Sequence, residues 1–213
     1  MKMRKSTHLW REEDHPRDDW GRFCKSNRLY DDMPIDKMHK ISIIIDEQTP
    51  CLRRTSDGAI IKTSFVQLSP KKGDFSDWLF DWSKEEMNGF SVLGLKADGD
   101  DRIQGLIAYK PDWRSEAIKI SLVESAPFNN SYNNKSKAKE YIGVGPHLFA
   151  EAVKKSYELG FDGYVYFVAK TALIEHYEKT LCAKLINEKH RIMVIEERSA
   201  KELYERYYQN NSD

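Results

Sequence analysis

The segment Glu140-Tyr-Ile-Gly-Val-Gly-Pro-His-Leu-Phe-Ala-Glu151 contains two glycines that flank a valine, and an amphipathic run follows them directly. Upstream of this segment, residues 118–123 predict a β-strand. A strand, a glycine-containing loop and the start of a helix together form a cradle for an anion, because the unpaired N–H groups and the positive dipole end of a helix favour phosphate. Gly143 and Gly145 would let the backbone turn tightly and approach a ligand closely. Pro146 suits the first helical turn, where its missing N–H costs little.

The composition argues against several classes of protein. The 213 residues include 34 basic and 34 acidic ones, so the formal net charge of zero gives no general attraction to nucleic acid or to an anionic membrane. No apolar run approaches the roughly 20 residues that a membrane-spanning helix requires. The three cysteines are far apart and form no Cys-x-x-Cys pair, and His8, His15, Cys24 and His39 lack zinc-site spacing. We therefore expect a soluble cytoplasmic protein with free thiols and no metal.

Two regions differ in composition. Residues 1–40 form a charged arm, and residues 41–213 carry the patterns of a folded domain. The arm contains Trp10, Trp20 and Tyr30, and because fully disordered segments contain few aromatic residues, we expect it to pack on something. Two roles stay open for the arm, a cover over a substrate pocket or a contact in a homodimer.

The hydrophobic pattern predicts strands that are followed by alternating helices and strands. The predicted strands cover residues 59–68, 90–96, 102–110, 117–123, 164–168 and 191–195. The predicted helices cover residues 75–86, 148–159, 171–181 and 199–208, and the last begins with the capping-box spacing Ser199-Ala-Lys-Glu202. Residues 41–45 form a short β-branched run, and residues 49–58 read as a loop. The order predicts an α/β fold with an antiparallel meander.

The glycine loop after the fourth core strand resembles the GNAT superfamily of N-acetyltransferases. The family signature is Arg or Gln, two residues, Gly, one residue, then Gly or Ala, with an apolar residue three further on, and Gly143, Gly145 and Leu148 match it. A second match, Ala172-Leu-Ile-Glu-His-Tyr-Glu-Lys179, is similar to the family's helix after the fifth strand. The resemblance covers residues 59–197. It implies an α/β (α+β) fold with a mixed, mostly antiparallel twisted sheet, helices on both faces and a splayed strand pair for acetyl-CoA.

Two positions depart from the family pattern. Glu140 stands where the family usually has Arg or Gln. Because a carboxylate repels phosphate, we expect Glu140 to point away from the ligand or to pair with Lys137 or Lys139. The Asn that often precedes the family's second helix is replaced here by Lys170 or Thr171.

The resemblance implies an acetyl transfer in which an amine attacks acetyl-CoA, the cosubstrate, directly. Such a reaction needs a neutral amine, a polarised thioester carbonyl and a proton for the departing thiolate. The splayed strands would supply backbone groups to the thioester and pantetheine, and the glycine loop would hold the pyrophosphate. By resemblance, the cofactor-binding residues are Val123, Ser125, Ile142, Gly143, Val144, Gly145, His147 and Lys170.

Two residues are candidates for catalysis by resemblance. Tyr177 is the candidate general acid, since an ordinary tyrosine pKa of about 10 suits donation to a thiolate; the alternative is an aromatic residue that packs on an amphipathic helix. Glu124 stands where GNAT members often carry a carboxylate base, and the alternative is a charge that faces solvent. His147 either contacts phosphate or lies solvated on the surface. His176 should point to a different helix face from Tyr177 and have no direct role.

Three functions stay open at this point. The first is an acetyl-CoA-dependent N-acetyltransferase that acts on a primary amine of a small molecule or a protein. The second is a toxin-type acetyltransferase of aminoacyl-tRNA, but the small basic excess of the arm is a poor argument for RNA. The third is a non-catalytic CoA-binding or interaction module of the same fold. The identity of the acceptor is not indicated by the sequence.

Overall fold

The computed structural model describes residues 39–49, 51–130 and 138–209. The predicted arm therefore lies outside the described residues except for its last two positions. Among the described residues, no helix combines the length and the hydropathy needed to cross a bilayer.

Ten strands and four helices make up the described residues. The strands are β1 (Leu52–Arg54), β2 (Ile60–Ile61), β3 (Thr63–Leu68), β4 (Ser91–Ala97), β5 (Asp100–Asp112), β6 (Ala117–Ser125), β7 (Tyr141–Ile142), β8 (Val165–Val168), β9 (Lys184–Asn187) and β10 (Ile192–Ile195). The helices are α1 (Ser83–Met87), α2 (Val144–Glu158), α3 (Ile174–Leu181) and α4 (Glu197–Tyr204). The described residues also contain three short helical turns. Two are 3-10 turns, at Pro127–Asn129 and Thr171–Leu173, and one is a π-helical turn, at Glu205–Gln209.

Seven of the strands form the central sheet, in the spatial order β3-β4-β5-β6-β8-β10-β9. Neighbouring strands are antiparallel, except that β6 and β8 are parallel. A second sheet has three strands in the order β2-β1-β7. The predicted fold class, a mixed and mostly antiparallel sheet with helices, is confirmed.

The central sheet is covered on both faces. Side chains alternate along each strand, so Leu93 and Leu95 of β4 belong to the large core cluster with α2 and α4, while Val92 packs on the opposite face. Trp82, which directly precedes α1, is fully buried on that opposite face and belongs to a smaller hydrophobic cluster there. Leu148 and its neighbours on α2 fill the large core. The packing of α2 against β5 and β6 fixes where the helix begins.

The helix predicted over residues 75–86 is wrong. Turns occupy most of this stretch, and only α1 is helical there. The carboxylate of Glu124 accepts hydrogen bonds from the backbone N–H of Leu79 at 2.7 Å and from the indole N–H of Trp82 at 3.1 Å. Phe75 also has a φ of +57°, outside the right-handed helical region. Contacts across the fold therefore override the helical spacing of the aromatic residues.

Other boundaries also differ from the sequence prediction. The predicted strand over residues 59–68 is divided at Lys62 between the two sheets, and the predicted loop over 49–58 contains β1. Strands β7 and β9 were not predicted. The capping box does not form, because α4 begins earlier, at Glu197, and the hydroxyl of Ser199 donates to the carbonyl of Cys182 at 3.1 Å.

Candidate functional site

The parallel neighbours β6 and β8 separate after a short stretch of pairing. Within the described residues, their register holds two pairs, Ile118 with Val165 and Lys119 with Tyr166. Beyond these pairs β6 continues along β5 to Ser125, whereas β8 continues along β10. A cleft therefore opens between the carboxyl ends of β6 and β8.

Residues 41–49, which we call the strap, lie in this cleft. The backbone N–H of Ile41 donates to the carbonyl of Val168 at 2.7 Å, and the N–H of Lys170 donates to the carbonyl of Ile41 at 3.1 Å. Because β10 occupies the other edge of β8, Ile41 takes the edge that faces β6. The strap thus supplies the backbone partners that β6 does not supply.

The side chains of the strap alternate between the core and the cleft. Ile41, Ile43 and Ile45 are buried, whereas Ile44 between them is 39% exposed. This period of two is that of an extended chain. The β-branched run seen in the sequence is therefore an extended segment that bridges to Ala169 in parallel.

The far end of the strap contacts the glycine loop. The N–H of Gly143 donates to Oδ1 of Asp46 at 3.0 Å, and Nζ of Lys139 lies 3.0 Å from Oδ2 of the same carboxylate. Gly143 precedes the first residue of α2 and has a φ of +95°. A carboxylate therefore lies at the positive end of this helix, where the sequence predicted a phosphate.

The two glycines make room for the strap itself. A Cβ on Gly145 would lie 3.1 Å from the carbonyl oxygen of Ile44 and 3.2 Å from Cδ1 of Ile45. A Cβ on Gly143 would collide with Oγ1 of Thr49. The sequence predicts that the two glycines allow the close approach of a ligand. In this structure, the group that approaches closely is another part of the chain.

Tyr177 lies on α3 beneath the strap. Its side chain is fully buried, and its hydroxyl donates to the carbonyl of Ile43 at 2.8 Å. The ring packs edge-on against Phe167, at 5.4 Å between centroids, and close to Phe149. Burial raises the pKa of the Tyr177 hydroxyl above its ordinary value. Tyr177 is therefore a packed aromatic residue whose hydroxyl also faces the cleft.

His176 contacts the strap directly, which the sequence analysis did not anticipate. Its Nε2 accepts a hydrogen bond from the backbone N–H of Ile45 at 2.8 Å. This nitrogen must be unprotonated in order to accept, and burial lowers the pKa of the imidazole accordingly. His176 and Tyr177 thus hold consecutive parts of the strap.

Glu124 is buried rather than facing solvent. Both carboxylate oxygens accept the hydrogen bonds from Leu79 and Trp82 described above, and the residue is 5% exposed. Burial raises the pKa of the Glu124 carboxyl, and the hydrogen bonds partly offset that effect. A buried carboxyl of this kind is a common feature of acid–base sites.

A cavity of about 210 Å³ lies between Glu124 and the strap. Its lining includes Ser125, Asn129 and Lys170, together with the exposed Ile44 of the strap. The cavity brings together Glu124, Ser125 and Lys170, three of the residues singled out in the sequence.

The other predicted cofactor residues turn their side chains away from the cleft. Val123 belongs to the large core, and Ile142 pairs with Arg53 in the small sheet. Val144 is buried against β5, where a Cβ on Gly105 would meet it. Any contact that these residues make with a ligand would therefore use their backbone.

The solvated surface position considered for His147 is wrong. The residue is 4% exposed, in the first turn of α2, and its ring lies 4.8 Å from that of Tyr207 and 5.4 Å from that of Phe65. Its Nε2 is 3.4 Å from Oγ1 of Thr63, on β3. Burial lowers the pKa of His147 to about 3. The imidazole is therefore neutral and enclosed, and a contact between His147 and phosphate stays a prediction.

Glu140 points away from the glycine loop, but its partner differs from the predicted lysines. Its carboxylate lies 2.6 Å from the guanidinium of Arg102, which also pairs with Asp100 at 2.7 Å. Lys139 pairs with Asp46 instead, and Lys137 lies outside the described residues. Lys139 therefore provides the positive charge at the loop, a role that the sequence pattern did not reveal.

Comparisons with known proteins give little further information. No family model matches the chain, and no curated protein matches it. Among solved structures, the chain is similar to an acetyltransferase from Bacillus subtilis in complex with CoA, with a TM-score of 0.41 and 16% sequence identity. The match covers 62% of this chain and 95% of that chain. Values this low do not support a function.

The close contact at the glycine loop predicts a stability difference between two Gly→Ala variants. Gly143→Ala should lose about 3 kcal/mol of unfolding free energy, since it adds a collision with the strap to the roughly 1–2 kcal/mol cost of a left-handed backbone. Gly160 has a φ of +76° but nothing within 4 Å of an added Cβ, so Gly160→Ala should lose the backbone cost alone. Urea denaturation measures both values. Equal losses would contradict the contact.

The burial of His147 predicts a loss of stability in mild acid. The folded protein keeps this imidazole neutral down to about pH 3, whereas the unfolded chain takes up a proton below about pH 6.5, so stability falls as the pH falls through this window. Between pH 7 and pH 5 the wild type should lose about 2 kcal/mol more than His147→Gln. Urea denaturation at the two pH values tests this, and identical losses would refute it.

Proposed function

We propose that the protein is an acetyl-CoA-dependent N-acetyltransferase of the GNAT type, which moves an acetyl group to a primary amine by direct attack. The observation that carries the proposal is the separation of β6 from β8 beside the Gly143 turn at the start of α2. Parted strands offer backbone groups to an extended ligand rich in amides, and the helix start offers N–H groups to its phosphates. CoA combines these two chemistries in one molecule.

The two strand edges would bind the thioester and the pantetheine arm. On β6, the N–H of Ile118 points towards β8. Ser121 has no paired residue on β5, and this bulge changes which residues further along β6 direct their backbone groups towards β8. With that bulge, we expect the backbone groups of Val123 and Ser125 to face the cleft. On β8, the carbonyl of Val168 and, just beyond the strand, the N–H of Lys170 face the same space.

The glycine loop would bind the pyrophosphate. The N–H of Gly143 and the ammonium of Lys139 already hold one carboxylate, so they suit an anion of higher charge. We expect the backbone of Ile142, Val144 and Gly145, which flank Gly143 or follow it in the chain, to contribute to the same anion site. In this account, Lys139 supplies the positive charge that the family's Arg would provide where this chain has Glu140.

The proposed chemistry assigns one proton step to each candidate residue. Glu124 would accept the proton of the incoming ammonium. Burial raises the pKa of the Glu124 carboxyl towards neutral pH, which makes the carboxylate a stronger base. The free amine then attacks the thioester carbon, the C–N bond forms and the C–S bond breaks. Tyr177 would donate its hydroxyl proton to the departing thiolate, and the proton that the new amide nitrogen loses would restore the Tyr177 hydroxyl. The acceptor would enter through the cavity beside Glu124.

A second candidate is a non-catalytic CoA-binding or interaction module of the same fold. The observation that favours it is the strap, which occupies the cleft in this structure. A module of this kind would show no thiol release with any amine. The two candidates therefore differ in a measurable product.

The test of the proposal is the release of free CoA thiol from acetyl-CoA against a panel of amines, polyamines and peptides. Tyr177→Phe should lower kcat by about 100-fold while acetyl-CoA still binds, as expected for the loss of a general acid. Tyr204→Phe, which removes a hydroxyl from α4, is the matched control and should keep full activity. Unchanged turnover in Tyr177→Phe would remove Tyr177 from the mechanism.

Binding can be tested separately from turnover. Acetyl-CoA at millimolar concentration should raise the melting temperature, because a ligand that binds only the folded state stabilises it. A melting temperature that does not respond, together with no thiol release, would refute the proposed function.

A further inference from the structure

The strap contacts each part of the proposed cofactor cleft in chain order. The peptide groups of Ile41 pair with the edge of β8, and the carbonyl of Ile43 accepts from the hydroxyl of Tyr177. The carboxylate of Asp46 then lies between the N–H of Gly143 and the ammonium of Lys139. An amide, a carbonyl and an anion thus follow one another from the strands to the helix start.

We propose that the strap is an internal competitor of CoA, and that the cofactor binds only when the strap leaves the cleft. This inference rests on the proposed function. In the closed state, Ile41 takes the place of an amide of the pantetheine arm. Asp46 takes the place of a phosphate at the start of α2. The strap therefore holds the enzyme in an autoinhibited state.

Mutual exclusion follows from shared partners and from space. The N–H of Gly143 is a single donor, and Asp46 already accepts its hydrogen. The backbone of Ile44 approaches Gly145 so closely that an added Cβ would lie 3.1 Å from its oxygen, which leaves no room for a phosphate between them. A pyrophosphate at this position would also be repelled by the Asp46 carboxylate. Strap and cofactor cannot be bound together.

The same contacts indicate how the cofactor displaces the strap. Lys139 pairs with a single carboxylate when the cleft is closed, and a pyrophosphate would offer it more negative charge. Among the other polar groups that hold the strap, those on Val168, Lys170 and Tyr177 are ones that the cofactor would use in turn. Lys139 is therefore a cofactor-binding residue in the open state and a strap-binding residue in the closed state.

The decisive comparison is between Asp46→Asn and Glu47→Gln in the 213-residue chain. Both variants remove one negative charge from the strap at adjacent positions. The Glu47 side chain is 63% exposed and pairs with Arg53 outside the cleft, so it is the matched control. Asp46→Asn should bind CoA about tenfold more tightly than the wild type, because the closed state loses a charged contact. The CoA affinity of Glu47→Gln should lie within about twofold of that of the wild type.

Hydrogen exchange of the backbone amides gives a second readout that does not depend on affinity. The amides of Ile41 and Ile45 are hydrogen-bonded in the closed state and should exchange faster when CoA is added. Tighter binding by Asp46→Asn together with faster exchange supports the proposal. Equal CoA affinities in the three proteins, with these amides still protected in the complex, would overturn it and leave the proposed function intact.

A further variant shows whether a negative result contradicts only the competition between strap and CoA or the proposed function as well. Ile43→Asp places a charge at a buried position of the strap and should release it, which the same exchange measurement verifies. In the released state, this variant should bind CoA at least as tightly as Asp46→Asn. If the strap of Ile43→Asp exchanges freely and no protein binds CoA, the proposed function itself is wrong, and the competition falls with it.

Discussion

Strands β6 and β8 pair at only two positions, so the backbone N–H and C=O groups beyond those pairs need other hydrogen-bond partners. The rest of the structure depends on how those partners are supplied. Buried N–H and C=O groups require partners, and two strands that separate leave such groups on their facing edges. In this structure, the strap provides those partners at Val168 and Lys170, and it continues to the start of α2. The separation of the strands, on which the proposed cofactor site rests, is the same feature that leaves backbone groups in need of partners.

The energetics of the strap are close to balanced. Six hydrogen bonds in the cleft and two of Gln48, to Thr180 and Arg206, contribute about 1 kcal/mol each. With three buried isoleucines at about 2 kcal/mol each, the total is about 14 kcal/mol. Ordering nine residues costs about 1–2 kcal/mol for each, or about 13 kcal/mol in all. A balance this close means that a ligand, or the loss of one charge, is enough to move the strap. It also explains why a single substitution at Asp46 should have a measurable effect.

The sequence was informative where the determinants are local. Alternating apolar residues predicted the meander, and the glycines followed by an amphipathic run predicted the start of α2. The failures involve partners that are distant in sequence. Asp46 binds Gly143 across 97 residues, and Glu124 redirects Leu79 across 45 residues, which prevents the predicted helix. The hydrophobic periodicity of a sequence does not indicate contacts between distant residues. The glycine loop could therefore be predicted as an anion site, but the Asp46 carboxylate that it binds could not.

The central claim is that the strap and the cofactor compete for one cleft. A crystal structure of the 213-residue chain, from crystals grown with CoA, tests it most directly. We predict a pyrophosphate oxygen within hydrogen-bonding distance of the N–H of Gly143, the pantetheine arm along β8, and Asp46 displaced from Lys139. CoA bound elsewhere on the surface, with Ile41 still paired to Val168 and Asp46 still on Gly143, would contradict the account.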